Sequence, residues 1–388
     1  MFSFWEKNSF IKAPDVIIVG SGIVGLNAGI ALKKKSPALH VLIIDGGMLP
    51  YGASTRNAGF ACFGSPSELM GDLQKSSWED VLTLLEKRWK GLLALRNLLG
   101  DRGIHYEPLG GYEVFREGDE TLYEQCMDFL PELNQRLRDI TGKIETYRSA
   151  GSLIGEFGFQ GINHLIRNEY EGQLDTGEMM RALLNKAKES GVEILHGARI
   201  SAIEDGAESA SVTLHNPMST GTDDRKFRLE GKRILICLNG FAGKFLPGLD
   251  IQPARAQVLI TRPILGLKVK GTFHLDHGYY YFRNVGTRLL LGGGRNLNFD
   301  GETTETFGIT RQIQQHLERL LKSFILPKHS FEIDMRWSGI MGIGENKRPI
   351  VQQAGQRIFC AVRMGGMGVA IGAVVGSEAA ELLSKSTD

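Results

Sequence analysis

Residues 15–45 constrain the fold more tightly than any other stretch of the chain. Residues 15–20, DVIIVG, form an apolar run rich in β-branched side chains, the pattern of a strand buried on both faces in a parallel sheet. Gly20-Ser21-Gly22-Ile23-Val24-Gly25 follows directly with G-x-G-x-x-G spacing, predicting a helix over Ile23–Lys35 and a second strand over residues 40–45, HVLIID. Gly20 permits the tight turn, Gly22 lets the backbone approach a pyrophosphate, and Gly25 lets helix and strand pack closely. The pyrophosphate then meets a helix N-terminus, where free N–H groups and the dipole favour an anion. Asp45 ends the second strand, where a carboxylate accepts hydrogen bonds from ribose hydroxyls and repels a 2′-phosphate. This is a dinucleotide-binding βαβ unit, which by itself separates FAD from NAD poorly.

The rest of the chain extends that unit and interrupts it. An amphipathic helix is expected over Trp78–Leu99, with leucines at three- and four-residue spacing. Residues 177–190 read as a helix, 192–195 and 233–238 as strands, 358–362 as a strand and 369–384 as a final helix. Between residues 252 and 294 the pattern changes to strands with short turns, as in an antiparallel sheet. The expected fold class is α/β. A Rossmann-type FAD-binding domain is assembled from residues 13–100, 158–250 and 337–388. A mainly antiparallel substrate domain with helices takes residues 101–157 and 251–336.

Charge excludes some partners. The 45 Lys and Arg residues nearly cancel 44 Asp and Glu, which removes the electrostatic case for nucleic acid or an anionic membrane. Cys62, Cys126, Cys237 and Cys360 are widely spaced and form no Cys-x-x-Cys pair, so a reducing cytosol is the expected compartment. Residues 1–14 lack a signal-peptide pattern, and the apolar run at 369–375 is too short to span a bilayer. A soluble, cytoplasmic protein is expected. Lys33, Lys34 and Lys35 suit a solvated helix C-terminus, and Gly372 with Gly376 suits close helix packing. His274, Asp276 and His277 lack a further ligand at metal-site spacing, so no metal is expected.

Two segments favour FAD. GASTRNAGF (residues 52–60) can offer hydroxyl and backbone donors to a pyrophosphate and approach a flat ring. Arg363-Met364-Gly365-Gly366-Met367-Gly368 places a second glycine turn before the last helix, whose N-terminus would stabilise negative charge on a reduced flavin. From residue 15 to about 383 the chain resembles the D-amino-acid oxidase or glycine-oxidase-like flavoproteins. GASTRNAGF carries the resemblance most specifically, through the family's Gly-Ala-Ser-x-Arg-Asn-x-Gly pattern. GQLDTGEMMRALL (172–184), LNGFAGKFLP (238–247), QPARAQVLITRP (252–263) and WSGIMG (337–342) support it. YYYFR (279–283) with RLLLGGG (288–294) is similar to the amine-oxidising branch that includes gamma-glutamylputrescine oxidase. The resemblance implies FAD contacts from Gly20, Gly22, Gly25, Asp45, Ser54, Arg56, Asn57 and Gly59. It also implies backbone contacts from Ile200 and Gly240, and Gly366, Met367 and Gly368 along the isoalloxazine edge.

The chain departs from that pattern twice. Met341 stands where amino-acid-oxidising members carry a carboxylate-gripping arginine, and Arg363 is the candidate replacement. GENKRPIV (344–351) stands where covalent-flavin members have a cysteine, so noncovalent FAD is expected. The resemblance implies hydride transfer from a C–H beside nitrogen to flavin N5, giving an imine that hydrolyses. Tyr279 and Tyr281, expected on one face of a strand with Tyr280 on the other, join Arg363 as substrate-side candidates. Packing accounts for strand tyrosines equally well, and loop support accounts for the arginine. The electron acceptor would be oxygen or a quinone; Phe2, Phe4, Trp5 and Phe10 give a slight apolar cue for the latter. A hydroxy-acid dehydrogenase on the same FAD frame, a non-catalytic FAD-bound redox sensor and an NAD enzyme are the alternatives.

Overall fold

A computed structural model describes residues 3–9, 11–215 and 226–385. The chain divides into two compact units. The first comprises Met1–Thr55, Gly177–Pro253 and Met341–Asp388, and the second Arg56–Thr176 and Ala254–Ile340.

The first unit is built on a six-stranded sheet in the order Ile350–Gln353, Ile358–Val362, Arg233–Ile236, Val16–Val19, Val41–Ile44 and Glu193–Leu195. All its pairings are parallel except that of the edge strand Ile350–Gln353. Val16–Val19 and Val41–Ile44 are buried at every position, as their unbroken apolar runs require. On one face Ile17, Val19, Leu42 and Ile44 pack with Val212 and Leu229 of a three-stranded antiparallel sheet. The expected helix Ile23–Lys35 has its predicted bounds. It meets the last helix, Gly368–Lys385, through two glycines: a β-carbon on Gly372 would lie 3.2 Å from Ile23 Cβ, and one on Gly376 2.7 Å from Asn27 Cβ. The helix Phe4–Ser9 exposes Phe4 and Trp5, while Phe2 and Phe10 lie outside the described residues. No described helix is long and apolar enough to cross a membrane.

The second unit carries an eight-stranded, mainly antiparallel sheet. Its order is Ile333–Ile343, Gln252–Thr261, Arg288–Gly293, Tyr280–Val285, Thr272–Leu275, Gly111–Arg116, Ile162–Asn168 and Tyr147–Ser149. One face is apolar. Leu259, Leu291, Phe282, Phe273, Tyr112 and Leu165 bury there with Ile313, Leu317 and Leu320 of the helix Arg311–Leu320. Phe273 and Phe282 stack with ring centroids 4.7 Å apart. The period-two alternation of strands sends His274, Tyr281 and Arg283 to the opposite face.

Two expectations need correction. Residues 56–100 and 158–176 belong to the second unit, not to the nucleotide-binding one. The helix Trp78–Leu99 packs on Glu120–Thr141, with Trp78 stacked on Phe129, and residues 56–64 are bonded into the large-sheet unit. Residues 337–340 join it too, whereas 251–253 stay in the first. Tyr279 does not share a strand face with Tyr281. It occupies the turn at 276–279 and is exposed, while Tyr280 opens the strand and is buried in the apolar core.

Candidate functional site

In the first unit the glycine turn is shaped by close backbone contacts. Gly20 has φ +110°, and a β-carbon there would come within 2.7 Å of the Cys237 carbonyl oxygen. A β-carbon on Gly25 would overlap the Gly20 carbonyl oxygen, so helix and turn meet only with glycine at that position. Gly22 caps the helix Ile23–Lys35 without a side chain of its own, and Ser54 Oγ accepts the Ile23 N–H at 3.0 Å. Asp45 Oδ2 accepts from Ser21 N–H at 2.9 Å and Ser21 Oγ at 2.8 Å, and Oδ1 accepts from Gly47 N–H at 2.9 Å. The result is a glycine-lined helix N-terminus, its first N–H held by Ser54, beside a fixed strand-end carboxylate. That donor set fits a dinucleotide with a ribose hydroxyl and a pyrophosphate.

The closing segment lies in the same unit. Asn239 Oδ1 accepts the Met364 N–H at 3.1 Å, and Gly365 N–H donates to the Gly342 carbonyl at 3.0 Å. Gly365 and Gly366 have φ +58° and +83°, and Met341 Sδ lies 3.5 Å from where a Gly366 β-carbon would be. These contacts bring residues 239–240, 341–342 and 364–368 together, with Gly368 opening the final helix. Ile200 begins a strand of the small sheet and is buried.

Arg363, expected as a carboxylate grip, is instead bonded within the protein. Its Nε donates to the Arg348 carbonyl at 3.0 Å, Nη1 to Asp250 O at 3.0 Å and Asp250 Oδ2 at 2.6 Å, and Nη2 to Asn346 Oδ1 at 2.9 Å. All three nitrogens are spent within the protein and the side chain is buried. These bonds offset the cost of its left-handed φ of +64°.

In the second unit, Arg56, Asn57 and Gly59 of the signature loop are bonded into the surrounding backbone. Arg56 Nη1 donates to the Ser338 carbonyl at 2.9 Å, and Trp337 Nε1 donates to the Arg56 carbonyl at 3.0 Å. Asn57 Oδ1 accepts from Gly59 N–H at 2.8 Å and Thr176 Oγ1 at 3.0 Å. Gly59 has φ +72°, and a β-carbon there would sit 2.6 Å from Arg283 Nη2. Arg283 itself donates to the carbonyls of Ala58 and Leu174, and burial pushes its pKa down to about 10.

The sheet face opposite the core assembles residues that sequence reasoning left apart. Register partners place Glu113, His274, Tyr281, Gly292 and Val258 in one transverse row across five strands. A second row holds Gly111, Thr272, Arg283, Leu290 and Ile260. The Tyr281 ring lies over Gly292, where a β-carbon would be 2.7 Å from the hydroxyl oxygen. Phe60 stands edge-on to both His274 and Tyr281, with centroids 5.0 and 5.7 Å away. Both are half-buried, and neither makes a side-chain hydrogen bond among the described residues. Desolvation pushes the Tyr281 hydroxyl up to about 12 and lowers the His274 imidazole below the ordinary histidine value.

Two buried carboxyls lie on this face at the strand Gly111–Arg116. Glu113 accepts from Ser67 N–H at 3.1 Å and from the Ser65 and Ser67 hydroxyls, and burial raises it to about 7. Glu171 accepts from Phe63 N–H at 2.8 Å, its carboxyl occupies the space a Gly111 side chain would need, and burial raises it to about 8. All four cysteines are free and buried, with thiols pushed above their ordinary value by desolvation. No group of three His, Cys, Asp or Glu side chains among the described residues is arranged to hold a metal ion.

The model of the FAD dependent oxidoreductase family, DAO, matches residues 15–382. Among curated proteins none matches the chain in sequence. Solved structures share the fold at low identity. Glycine oxidase from Geobacillus kaustophilus is 19% identical, with 96% of this chain and 95% of that chain covered and a TM-score of 0.74. Glycine oxidase from Bacillus cereus ATCC 14579 is 16% identical over 97% and 96%, with a TM-score of 0.73. Iminodiacetate oxidase from Chelativorans sp. BNC1 is 17% identical over 95% of each chain, also with a TM-score of 0.73.

Proposed function

The chain belongs to the DAO family of FAD dependent oxidoreductases, and from that premise we propose that it oxidises the C–N bond of a small amine or amino acid. When bound, FAD supplies the two-electron acceptor for a C–H beside nitrogen, and the imine product hydrolyses in water. The first turn of Ile23–Lys35, closed by Gly20, Gly22 and Gly25, receives the pyrophosphate, and Asp45 receives the ribose hydroxyls. Ser54, Arg56, Asn57, Gly59, Ile200 and Gly240 are the further cofactor contacts of this reading. Gly366, Met367 and Gly368 stand at the start of the final helix, where this reading sets the isoalloxazine edge. The buried, electroneutral cysteines support noncovalent attachment.

The observation that carries the amine reading is the sheet row that sets Tyr281 beside His274, both edge-on to Phe60 and both held toward their uncharged forms. It suits an amine that must lose its own proton before its C–H can leave with two electrons. The likeness to glycine oxidases and an iminodiacetate oxidase supports the same substrate class. Oxygen or a quinone takes the electrons onward. The test is product analysis of the holoprotein with matched amines, amino acids and hydroxy acids. Release of ammonia or a smaller amine together with a carbonyl product is expected. Turnover of hydroxy acids with no nitrogen compound consumed would transfer the assignment to a hydroxy-acid dehydrogenase.

A further inference from the structure

Residues 303–310 lie in neither helix nor strand, between the helices Phe299–Glu302 and Arg311–Leu320, yet they are tied down at both ends and in the middle. Building on the reading that Arg56 touches FAD, we propose that this segment is a strap that seats Phe307 against the Arg56 guanidinium. Phe307 is then a positioning residue for the cofactor, ordering the signature arginine before FAD arrives. Arg56, Phe307 and every anchor of the strap belong to the second unit.

The first anchor is a buried ion pair. Glu302 is fully buried, and its Oε2 accepts from Arg255 Nε at 2.8 Å. Its Oε1 accepts from Arg255 Nη2 at 2.8 Å and from Gln257 Nε2 at 3.0 Å. Matched in charge and in hydrogen bonds, this pair meets the condition under which ions are stably held inside a protein. The same guanidinium reaches the strap itself, donating from Nη1 to the Thr306 carbonyl at 3.2 Å. At the far end Thr310 N–H donates to Gln257 Oε1 at 3.0 Å, and Gln257 Nε2 donates to Thr310 Oγ1 at 2.9 Å. In the middle Gly308 N–H donates to the Ser338 hydroxyl at 2.9 Å. A segment with no helix or ladder of its own has many conformations, and bonds on both sides of Phe307 remove most of them.

Phe307 meets Arg56 at this pinned point. The guanidinium carbon lies over the ring, 4.4 Å from its centroid, which is cation–π range. Ser338 bonds both partners: its hydroxyl holds the strap at Gly308, and its carbonyl accepts from Arg56 Nη1 at 2.9 Å. Next to it, Trp337 Nε1 donates to the Arg56 carbonyl at 3.0 Å, and a β-carbon on Gly339 would lie 3.3 Å from Arg56 Cβ. An arginine stem gives up rotamer freedom when its head binds an anion. A guanidinium already resting on an aromatic face has given up that freedom beforehand, so binding costs less. Leucine at 307 would fill space without the negative π face that attracts a cation.

The test follows FAD release from the holoenzyme on dilution, read as recovery of free-flavin fluorescence. Phe307→Leu should raise the Kd for FAD roughly tenfold, as expected for loss of a cation–π contact partly shielded from water. Phe307→Tyr keeps the ring face and should hold the wild-type Kd. The double variant Arg56→Met/Phe307→Leu should bind FAD no more weakly than Arg56→Met alone, because the ring acts through the guanidinium. In ¹⁵N-arginine-labelled holoenzyme the Arg56 Nε–H signal, assigned by its loss in Arg56→Met, should move in Phe307→Leu and stay in place in Phe307→Tyr. Wild-type FAD retention in Phe307→Leu, with retention weakened in Arg56→Met, would overturn the inference and leave the cofactor reading standing. Equal losses in the leucine and tyrosine variants, or additive losses in the double variant, would also overturn it. Wild-type retention in Arg56→Met would remove Arg56 from the cofactor site and overturn the inference with it.

Discussion

Replacing Glu171 by glutamine removes an ionisation that the interior of the second unit resists. The carboxyl is 3% exposed, and desolvation outweighs the backbone donors at Phe63 and Gly64, raising it from the ordinary 4.5 to about 8. Below pH 4.5 folded and unfolded chains both carry the proton. As pH rises the unfolded chain releases it first while the folded chain keeps it, so stability falls until the folded group titrates near pH 8. At ~1.4 kcal/mol per pKa unit, the gap corresponds to about 5 kcal/mol in total, of which about 3 kcal/mol is lost between about pH 6 and pH 9. Glu171→Gln keeps a neutral, nearly isosteric group and should lack this slope. Urea unfolding followed by tryptophan fluorescence reports on the relevant unit, because Trp78, Trp89 and Trp337 all belong to it. The variant's advantage should grow steadily from about pH 5 to about pH 9. Parallel stability curves for the two proteins, or a variant less stable at about pH 9, would refute the reasoning.

Other perturbations separate cradle, scaffold and sheet face. Gly25→Ala forces a β-carbon into the Gly20 carbonyl, costing about 3 kcal/mol, and the protein should purify with its flavin band largely lost. Arg363→Met abandons the bonds to Arg348, Asp250 and Asn346. It should cost about 2–4 kcal/mol in thermal melts while substrate KM stays within roughly twofold, because that guanidinium supports a loop. Tyr279→Phe should leave steady-state kinetics unchanged, since Tyr279 sits in an exposed turn. Tyr281→Phe should raise KM several-fold, since that hydroxyl lies unpartnered beside His274.

The nucleotide-binding half was legible because its determinants are local. A glycine turn, a strand of unbroken burial and a following helix are all fixed within thirty residues, and the helix Ile23–Lys35 has its predicted bounds. The alternation that turns Tyr280 away from Tyr281 was legible for the same reason. The row across the sheet face was not. Glu113 and His274 become neighbours only through a parallel pairing of two strands far apart in sequence, which no local pattern specifies. The helix Glu120–Thr141 is similarly masked, since Pro131 in its interior reads locally as a break. Arg363 misled because a guanidinium next to a glycine turn looks alike in sequence whether it faces a ligand or a backbone carbonyl. An unpartnered, desolvated histidine could have been suspected only from its setting inside an otherwise apolar strand, Thr272–Leu275.

The most direct test of the account is the visible absorption spectrum of the purified protein before and after anaerobic addition of benzylamine and other small amines. The account predicts flavin bands that bleach with an amine and return when an acceptor is admitted. A protein that shows no flavin band even after reconstitution with FAD would contradict it.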